Sequence, residues 1–161
     1  MQTSKTPLEV AAAILTKRAQ TRAELRRKLL KREEFTVETV EEALTKLEEM
    51  GFLSDRRYTE DFVRIMRERS YGDRRIMEKL LFKGVDKELV EEILHADVGN
   101  RDPFDDAMAL LERRARKLDR VDDPQKRNQR ILCMLAGRGF SPEIAYRAIK
   151  AWAQRPKNEE D

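Results

Sequence analysis

One pattern of apolar residues occurs three times along this chain of 161 residues, about every fifty residues. Residues 71–94 overlay residues 126–149 without a gap, so that Ile76 falls on Ile131. A third copy ends at Leu44, with one extra residue before its turn. A chain made of three copies of one unit is expected to fold as a row of similar modules, each packed on the next.

Each copy contains two helical patterns joined by a turn. The first helix has apolar positions at i, i+4 and i+5, as at Ile76, Leu80 and Leu81, and these spacings place the side chains on one face. Two of the three turns contain glycine, Gly84 and Gly139, which suits the left-handed residue that ends many helices. We therefore predict a helix, a tight turn and a second helix in each copy.

A further helical pattern precedes each pair, at residues 8–18, 58–69 and 104–118. Each of these helices is predicted to start at a capping side chain followed by a proline or an acid: Thr6-Pro7, Ser54-Asp55 and Asp102-Pro103. Ser141-Pro142 is the same signature at the start of the last helix.

The fold class that follows is all-α, with nine helices in three tandem three-helix repeats. Because a unit of about fifty residues buries too little apolar surface to be stable alone, we expect an elongated, curved array. The predicted boundaries are repeat 1 at 1–50, repeat 2 at 51–97, repeat 3 at 98–155 and a disordered acidic tail at 156–161.

The charges are numerous and segregated. Hydrophobic and charged residues each make up 40% of the chain, and the net charge is only +3. Residues 17–32 hold eight basic side chains and one acid, residues 64–83 hold seven and three, and residues 113–130 hold eight and three. Such groups commonly form solvated faces with local ion pairs, but their repetition favours a discontinuous basic stripe for a long anionic partner or an acidic protein surface.

The predicted partner-binding residues come from the basic segments of the second and third repeats. They are Arg64, Arg67, Arg74, Arg75, Lys79, Lys83, Arg113, Arg114, Lys126, Arg127 and Arg130. We expect them to bind nucleic acid weakly and without sequence preference, since they are spread over several helices and mixed with acids.

Residues typical of catalysis are scarce. His95 is the only histidine and Cys133 the only cysteine, and no phosphate-binding loop or nucleophile elbow is present. We expect Cys133 to pack in the apolar run ILCMLA and Trp152 to close the end of the core. We therefore predict no enzyme activity, no catalytic residue, no cofactor, no metal and no small-molecule substrate.

No apolar stretch approaches the roughly 20 residues that span a bilayer, and the N-terminus lacks the apolar core of a secretion signal. These features predict a cytoplasmic protein that does not bind membranes, and we expect a monomer.

Residues 51–94 resemble the RecX family, the regulators of the RecA recombinase. The family pattern joins a Gly-aromatic-Leu-x-Asp turn, a helix with aromatic and arginine residues, and a Lys-Gly-aliphatic turn. Here it is filled by Gly51, Leu53, Asp55, Tyr58, Phe62, Arg67, Gly72, Ile76, Leu80, Lys83, Gly84 and Val85. TRAELRRKLLKR and GRGFSPEIAYRAI extend the resemblance into the first and third repeats, although Glu34 replaces a glycine of the first turn.

The resemblance implies a helical modulator that lies in the groove of the RecA filament on single-stranded DNA. It implies inhibition of strand exchange, ATP hydrolysis and co-protease activity, and with them regulation of DNA repair, homologous recombination and the SOS response.

Two other readings stay open. FTVETVEEALTKLEEMGFLSD, residues 35–55, is compatible with two helices of a winged-helix domain that binds a specific DNA sequence, although the following residues have helical spacing where a wing requires a hairpin. A purely structural helical-repeat scaffold is the third reading, and it predicts no effect on the recombinase.

Overall fold

The computed structural model describes residues 4–156, with Val98 described by its backbone alone. Ten helices form in this range, and it contains no strand. The helices are α1 Pro7–Lys17, α2 Arg22–Leu30, α3 Val37–Glu49, α4 Asp55–Glu68, α5 Asp73–Phe82, α6 Lys87–Val98, α7 Pro103–Arg113, α8 Ala115–Asp119, α9 Pro124–Gly137 and α10 Pro142–Gln154. The all-α class and its three tandem helical repeats are confirmed, with α1–α3, α4–α6 and α7–α10 as the repeats.

The tenth helix arises where one was predicted at 104–118. Arg114 has φ −109° and ψ 4°, outside the helical region, and its N–H donates to the carbonyl oxygen of Leu111 at 2.9 Å. Beyond this break Leu118 is buried in the same apolar cluster as Leu111. We attribute the break to this burial, since tertiary packing outweighs the local preference for a continuous helix.

The predicted helix starts are confirmed. Thr6, Asp102 and Ser141 cap α1, α7 and α10 with their side chains, and each is followed by proline. The Ser54 hydroxyl accepts a hydrogen bond from the Arg57 N–H at 3.2 Å, at the start of α4. Thr21 and Thr36 add capping boxes at α2 and α3. Each cap supplies an acceptor to an N–H that the helix itself leaves unpaired.

The chain divides into two compact units. The first contains the residues up to Phe62 together with Lys79–Glu91, and the second contains Val63–Glu78 together with the residues from Glu92 onward. This division passes through α4, α5 and α6, so the repeat boundaries at residues 50 and 97 stay predictions. The predicted tail at 156–161 lies, beyond Pro156, outside the described residues.

The core of the first unit lies among α1, α2 and α3, which contact one another pairwise. Leu25, Leu29, Val40 and Leu44 are fully buried there. Their spacing along α2 and α3 is the helical repeat that the sequence shows, so the apolar faces of this repeat are confirmed.

The core of the second unit lies among α7, α9 and α10. Ile131 and Leu135 are fully buried, and Trp152 is buried in the same cluster, so the prediction that it belongs to the core is confirmed. Cys133 is exposed, so the prediction that it packs inside is wrong. The reason is helical geometry, because position 133 lies on the opposite side of α9 from positions 131 and 135.

A specific contact joins successive repeats within the first unit. The turn at Lys83-Gly84 packs against the start of α2, where the Thr21 hydroxyl donates to the Lys83 carbonyl oxygen at 2.6 Å. Gly84 has φ +81°, and a Cβ placed on it would lie 2.4 Å from the Cβ of Ala23. Both the turn and the close approach therefore require glycine.

The second unit contains an equivalent contact one repeat later, with a backbone N–H as the donor. The Gly72 N–H donates to the Arg138 carbonyl oxygen at 2.7 Å, and the Arg74 N–H to the Gly139 carbonyl at 3.3 Å. Gly139 has φ +87°, and a Cβ on it would lie 2.4 Å from the backbone nitrogen of Arg75. The glycine turn of one repeat thus docks on the middle helix of the repeat before it.

Candidate partner-binding surface

The predicted binding residues differ widely in where they lie. All except Lys79 and Lys83 belong to the second unit. Some are buried and paired inside their unit, and others are exposed, so the structure separates side chains that the sequence grouped together.

Arg67 lies inside the second unit, with a side chain only 2% exposed. Its guanidinium donates to Asp73 and, at 2.9 Å, to Asp97. Burial opposes the charge, but the bonds to Asp97 and Asp73 outweigh it and raise the pKa of Arg67 above its ordinary value. Arg67 therefore joins α4 to the start of α5 and the end of α6, and it does not reach the surface.

Lys83 is also engaged inside its own unit, the first. Its ammonium group lies 3.1 Å from a carboxylate oxygen of Glu24 and 5.9 Å from the centre of the Tyr58 ring. Burial opposes the charge, but the bonds to Glu24 and Tyr58 raise the pKa of Lys83 overall. This lysine supports the contact between repeats.

The exposed candidates of α4 and α5 are Arg64, Arg74 and Arg75. Arg64 forms a surface pair with Glu68 at 3.6 Å, and Arg75 with Glu78 at 2.9 Å. The prediction that the side chains of Arg74 and Arg75 avoid the buried face is confirmed by their exposure. In α9, Lys126 and Arg130 are exposed, while Arg127 is half-buried and donates to the Val121 carbonyl oxygen at 3.3 Å.

Arg113 and Arg114, at the end of α7, line an open pocket of about 500 Å³ in the second unit. We call this the arginine pocket. Its lining residues are Glu68, Arg69, Tyr71, Leu110, Arg113, Arg114 and Arg138. Four arginine residues thus line one space, and clefts lined by one sign of charge concentrate a potential that attracts the opposite charge.

Two residues of the arginine pocket, Arg69 and Arg138, were absent from the predicted set. Arg138 was detectable, because it occupies the repeat position of Lys83, which was already a candidate. Arg69 stands in a basic segment, but nothing in its local pattern distinguishes it from its neighbours. Its place in the pocket depends on the fold of the second unit.

The winged-helix reading fails at a specific segment. A wing requires a hairpin after residue 55, but Asp55–Glu68 forms the helix α4. None of the described helices has both the length and the apolar character of a membrane span.

The architecture defines a class of all-helical proteins built from three tandem helical repeats with exposed basic side chains. Family models for the first, second and third three-helix domains of RecX match residues 8–47, 54–94 and 101–149. The chain belongs to the RecX family.

Relatives named Regulatory protein RecX match over most of their length. The relative from Thermus thermophilus is 37% identical over 146 residues, which cover 90% of this chain and 89% of the relative. The relative from Trichlorobacter lovleyi is 31% identical over 135 residues, 83% of this chain and 87% of the relative. The crystal structure of RecX from Lactobacillus salivarius shares the fold, with a TM-score of 0.80 at 24% identity over 92% of this chain and 96% of that one.

Proposed function

We propose that this protein regulates the RecA recombinase by binding the RecA filament on single-stranded DNA. In this proposal it inhibits strand exchange, ATP hydrolysis and co-protease activity, and through them modulates DNA repair, homologous recombination and the SOS response. It acts in the cytoplasm as a binding protein without catalysis of its own.

The observation that carries the proposal is the match of all three RecX domains in order along the chain. The charge distribution supports it, because Arg74, Arg75, Arg113 and Arg114 expose their side chains in the second unit. Exposed cations suit the phosphates of DNA or an acidic protein surface. Several weak contacts made by one chain add up to strong overall binding, because after the first contact the others become intramolecular.

The test is ATP hydrolysis by RecA on single-stranded DNA with this protein added below the RecA concentration. We expect the steady-state rate to fall with increasing amounts of the protein. A rise in the rate would show that it assists its partner. An unchanged rate at equimolar protein would contradict the proposal and favour the scaffold reading.

A filament-assembly control separates binding from inhibition. RecA filaments on single-stranded DNA are sedimented with and without the protein, and we expect the protein in the pellet only when RecA is present. If the protein sediments with RecA but does not change ATP hydrolysis, the proposal that it binds the filament is supported and the proposal that it inhibits RecA is contradicted.

A further inference from the structure

The arginine pocket is lined by four arginines and one carboxylate, so positive charge is in excess. Among residues 4–156, no carboxylate pairs with Arg69, Arg113, Arg114 or Arg138, whereas Arg67, Arg101 and Arg155 each pair with an aspartate. Glu68 also lines the pocket, but it pairs with Arg64 at 3.6 Å. Crowded like charges repel one another, so this arrangement favours the binding of an anion.

Neutral oxygens hold two of the four guanidiniums in place. Arg138 donates to the Arg69 carbonyl oxygen at 2.7 Å, and its guanidinium carbon lies 4.5 Å from the centre of the Tyr71 ring. Arg113 donates to the Ser70 hydroxyl. A guanidinium has five N–H donors, so both arginines keep donors for a ligand and keep their full charge.

Ser70 is an independent sign of a built site. It has φ +58° at the end of α4, and among the described residues it is the non-glycine residue with a positive φ. Its N–H donates to the Arg67 carbonyl and the Tyr71 N–H to the Met66 carbonyl, the helix ending that commonly uses glycine. Glycine at position 70 would remove the backbone strain, but it would also remove the hydroxyl that accepts the hydrogen bond from Arg113. Backbone strain of this kind is typical of functional sites.

The lining and the size of the pocket favour a nucleic acid over a carboxylate. Arg138 stacks on the Tyr71 ring, and a nucleic-acid base can stack on such a planar cationic group. A peptide carboxylate cannot, because it has no aromatic face. The volume of about 500 Å³ lies in the range of pockets that hold molecules larger than one carboxylate group. Planar guanidiniums bind phosphate oxygens through paired hydrogen bonds.

We propose that the arginine pocket binds the phosphodiester backbone of single-stranded nucleic acid, with Arg113 and Arg114 contacting phosphates and the Arg138–Tyr71 stack contacting a base. This inference rests on the proposed function, which places the protein on the RecA filament. Within that filament, the pocket binds the single-stranded DNA and does not bind the recombinase.

The test uses the full chain and a labelled oligodeoxythymidylate, with binding followed by fluorescence anisotropy over a range of salt concentrations. The variant Arg113→Gln/Arg114→Gln removes two charges from the pocket, and Arg120→Gln/Lys150→Gln removes two exposed charges elsewhere in the same unit. We expect the pocket variant to bind about tenfold more weakly than wild type. The slope of the logarithm of the binding constant against the logarithm of the salt concentration should become shallower by about 0.7 for each phosphate contact removed. The control should stay within about twofold of wild type.

A second variant, Ser70→Gly, keeps every charge and relieves the strained φ, so it is expected to fold. It releases Arg113, and we expect binding about threefold weaker than wild type. Circular dichroism and the unfolding midpoint establish that each variant is folded.

Three results of the binding assay alone would overturn the inference. The first is that the wild-type chain does not bind the oligonucleotide at low salt, and the second is that the pocket variant and the control variant weaken binding equally. The third is that poly-L-glutamate binds as strongly as the oligonucleotide and loses as much affinity in the pocket variant.

RecA-dependent ATP hydrolysis is measured in parallel. If the pocket variant binds oligonucleotide normally but no longer inhibits RecA, the pocket contacts protein and the proposed function survives. If wild-type protein leaves RecA unchanged, the proposed function fails while the oligonucleotide result still decides the pocket.

Discussion

Single residues show how the same charge serves different purposes. Arg67 and Lys83 are paired with carboxylates inside their units, whereas Arg113 and Arg114 line the arginine pocket and pair with no carboxylate of residues 4–156. The sequence could not separate these cases, because each is a basic residue in a basic segment. A basic side chain is paired when the fold brings an acidic side chain from a distant position next to it, as it brings Asp97, 30 residues away, to Arg67.

Glu24 gives a prediction for the pH dependence of stability. Burial opposes its charge, but the Thr21 N–H and the ammonium of Lys83 outweigh burial and lower the pKa of Glu24. A lowered folded-state pKa adds stability above the unfolded value, here 4.5, and this stability is lost as the pH falls through the folded pKa. We expect Glu24→Gln to lower the free energy of unfolding by about 1 kcal/mol at neutral pH, a difference that vanishes in acid.

The measurement is urea denaturation of both proteins between neutral and acidic pH. Glu60→Gln, at an exposed position of α4, is the control and should change the free energy of unfolding by less than about 0.5 kcal/mol. A Glu24→Gln deficit that persists unchanged in acid would show that the charge of Glu24 does not contribute.

Gly84 and Gly51 separate backbone strain from close packing. Both have positive φ, +81° and +76°, but a Cβ on Gly84 would lie 2.4 Å from Ala23 while one on Gly51 would have nothing within 4 Å. We expect Gly51→Ala to lower the free energy of unfolding by about 1 kcal/mol and Gly84→Ala by about 2–4 kcal/mol. Chemical denaturation measures both, and equal losses would mean that the turn of the second repeat does not pack tightly on α2.

At the scale of elements, α5 shows where periodicity predicts burial well and where it does not. Ile76 and Leu80 are fully buried, as predicted, but Leu81 is 39% exposed and Phe82 is 84% exposed. The prediction that Leu81 belongs to the buried face is therefore wrong. A position at i+5 from Ile76 lies well to one side of the centre of the face, and only the neighbouring elements decide whether such a position is covered.

This difference gives a prediction with a control on the same helix. We expect Leu80→Ala to lower the free energy of unfolding by about 2–5 kcal/mol, because it leaves a cavity in a fully buried site. Leu81→Ala removes the same atoms from a partly exposed site and should cost about 1 kcal/mol or less. Urea denaturation midpoints compare them, and similar losses would place Leu81 in the core after all.

At the scale of the whole molecule, one contact is used twice. Thr21 and Gly72 begin equivalent middle helices, and each donates to the carbonyl of the residue before a left-handed glycine in the next repeat, Lys83 or Arg138. A nearest-neighbour contact of this kind is how repeat proteins gain stability that single repeats lack. It also explains why the chain divides into compact units across the middle repeat, since each unit contains one such junction.

The exposed charge of the molecule is tested by reversing Arg74 and Arg75 to glutamate. The Gly139 turn contacts the backbone of both residues and the Cβ of Arg75, so the charged ends can change without loss of the junction. We expect the free energy of unfolding to change by only about 0.5 kcal/mol. Inhibition of RecA should weaken at least severalfold, because repulsion replaces attraction at an anionic partner.

RecA ATP hydrolysis measured against the concentration of the variant gives the midpoint of inhibition. Lys87→Glu, at an exposed site of the first unit, serves as the control for an added negative charge. An Arg74→Glu/Arg75→Glu protein that is folded and inhibits at wild-type concentrations would remove this part of α5 from the binding surface and leave the basic residues of α7 and α9.

The sequence by itself determined the helices, their caps and their threefold repetition. These features depend on neighbours within a few residues, such as Ser141 before Pro142, or on apolar spacing, such as Ile131 and Leu135. The left-handed turns at Gly84 and Gly139 were predictable for the same reason.

The tertiary structure alone decided which cations are buried, where the helix at 104–118 breaks, and that Arg69, Arg113, Arg114 and Arg138 surround one pocket. These outcomes depend on residues that are far apart in the chain: Arg138 reaches Arg69 across 69 positions, and Arg113 reaches Ser70 across 43. No local pattern encodes such a meeting, because it exists only once the helices have packed.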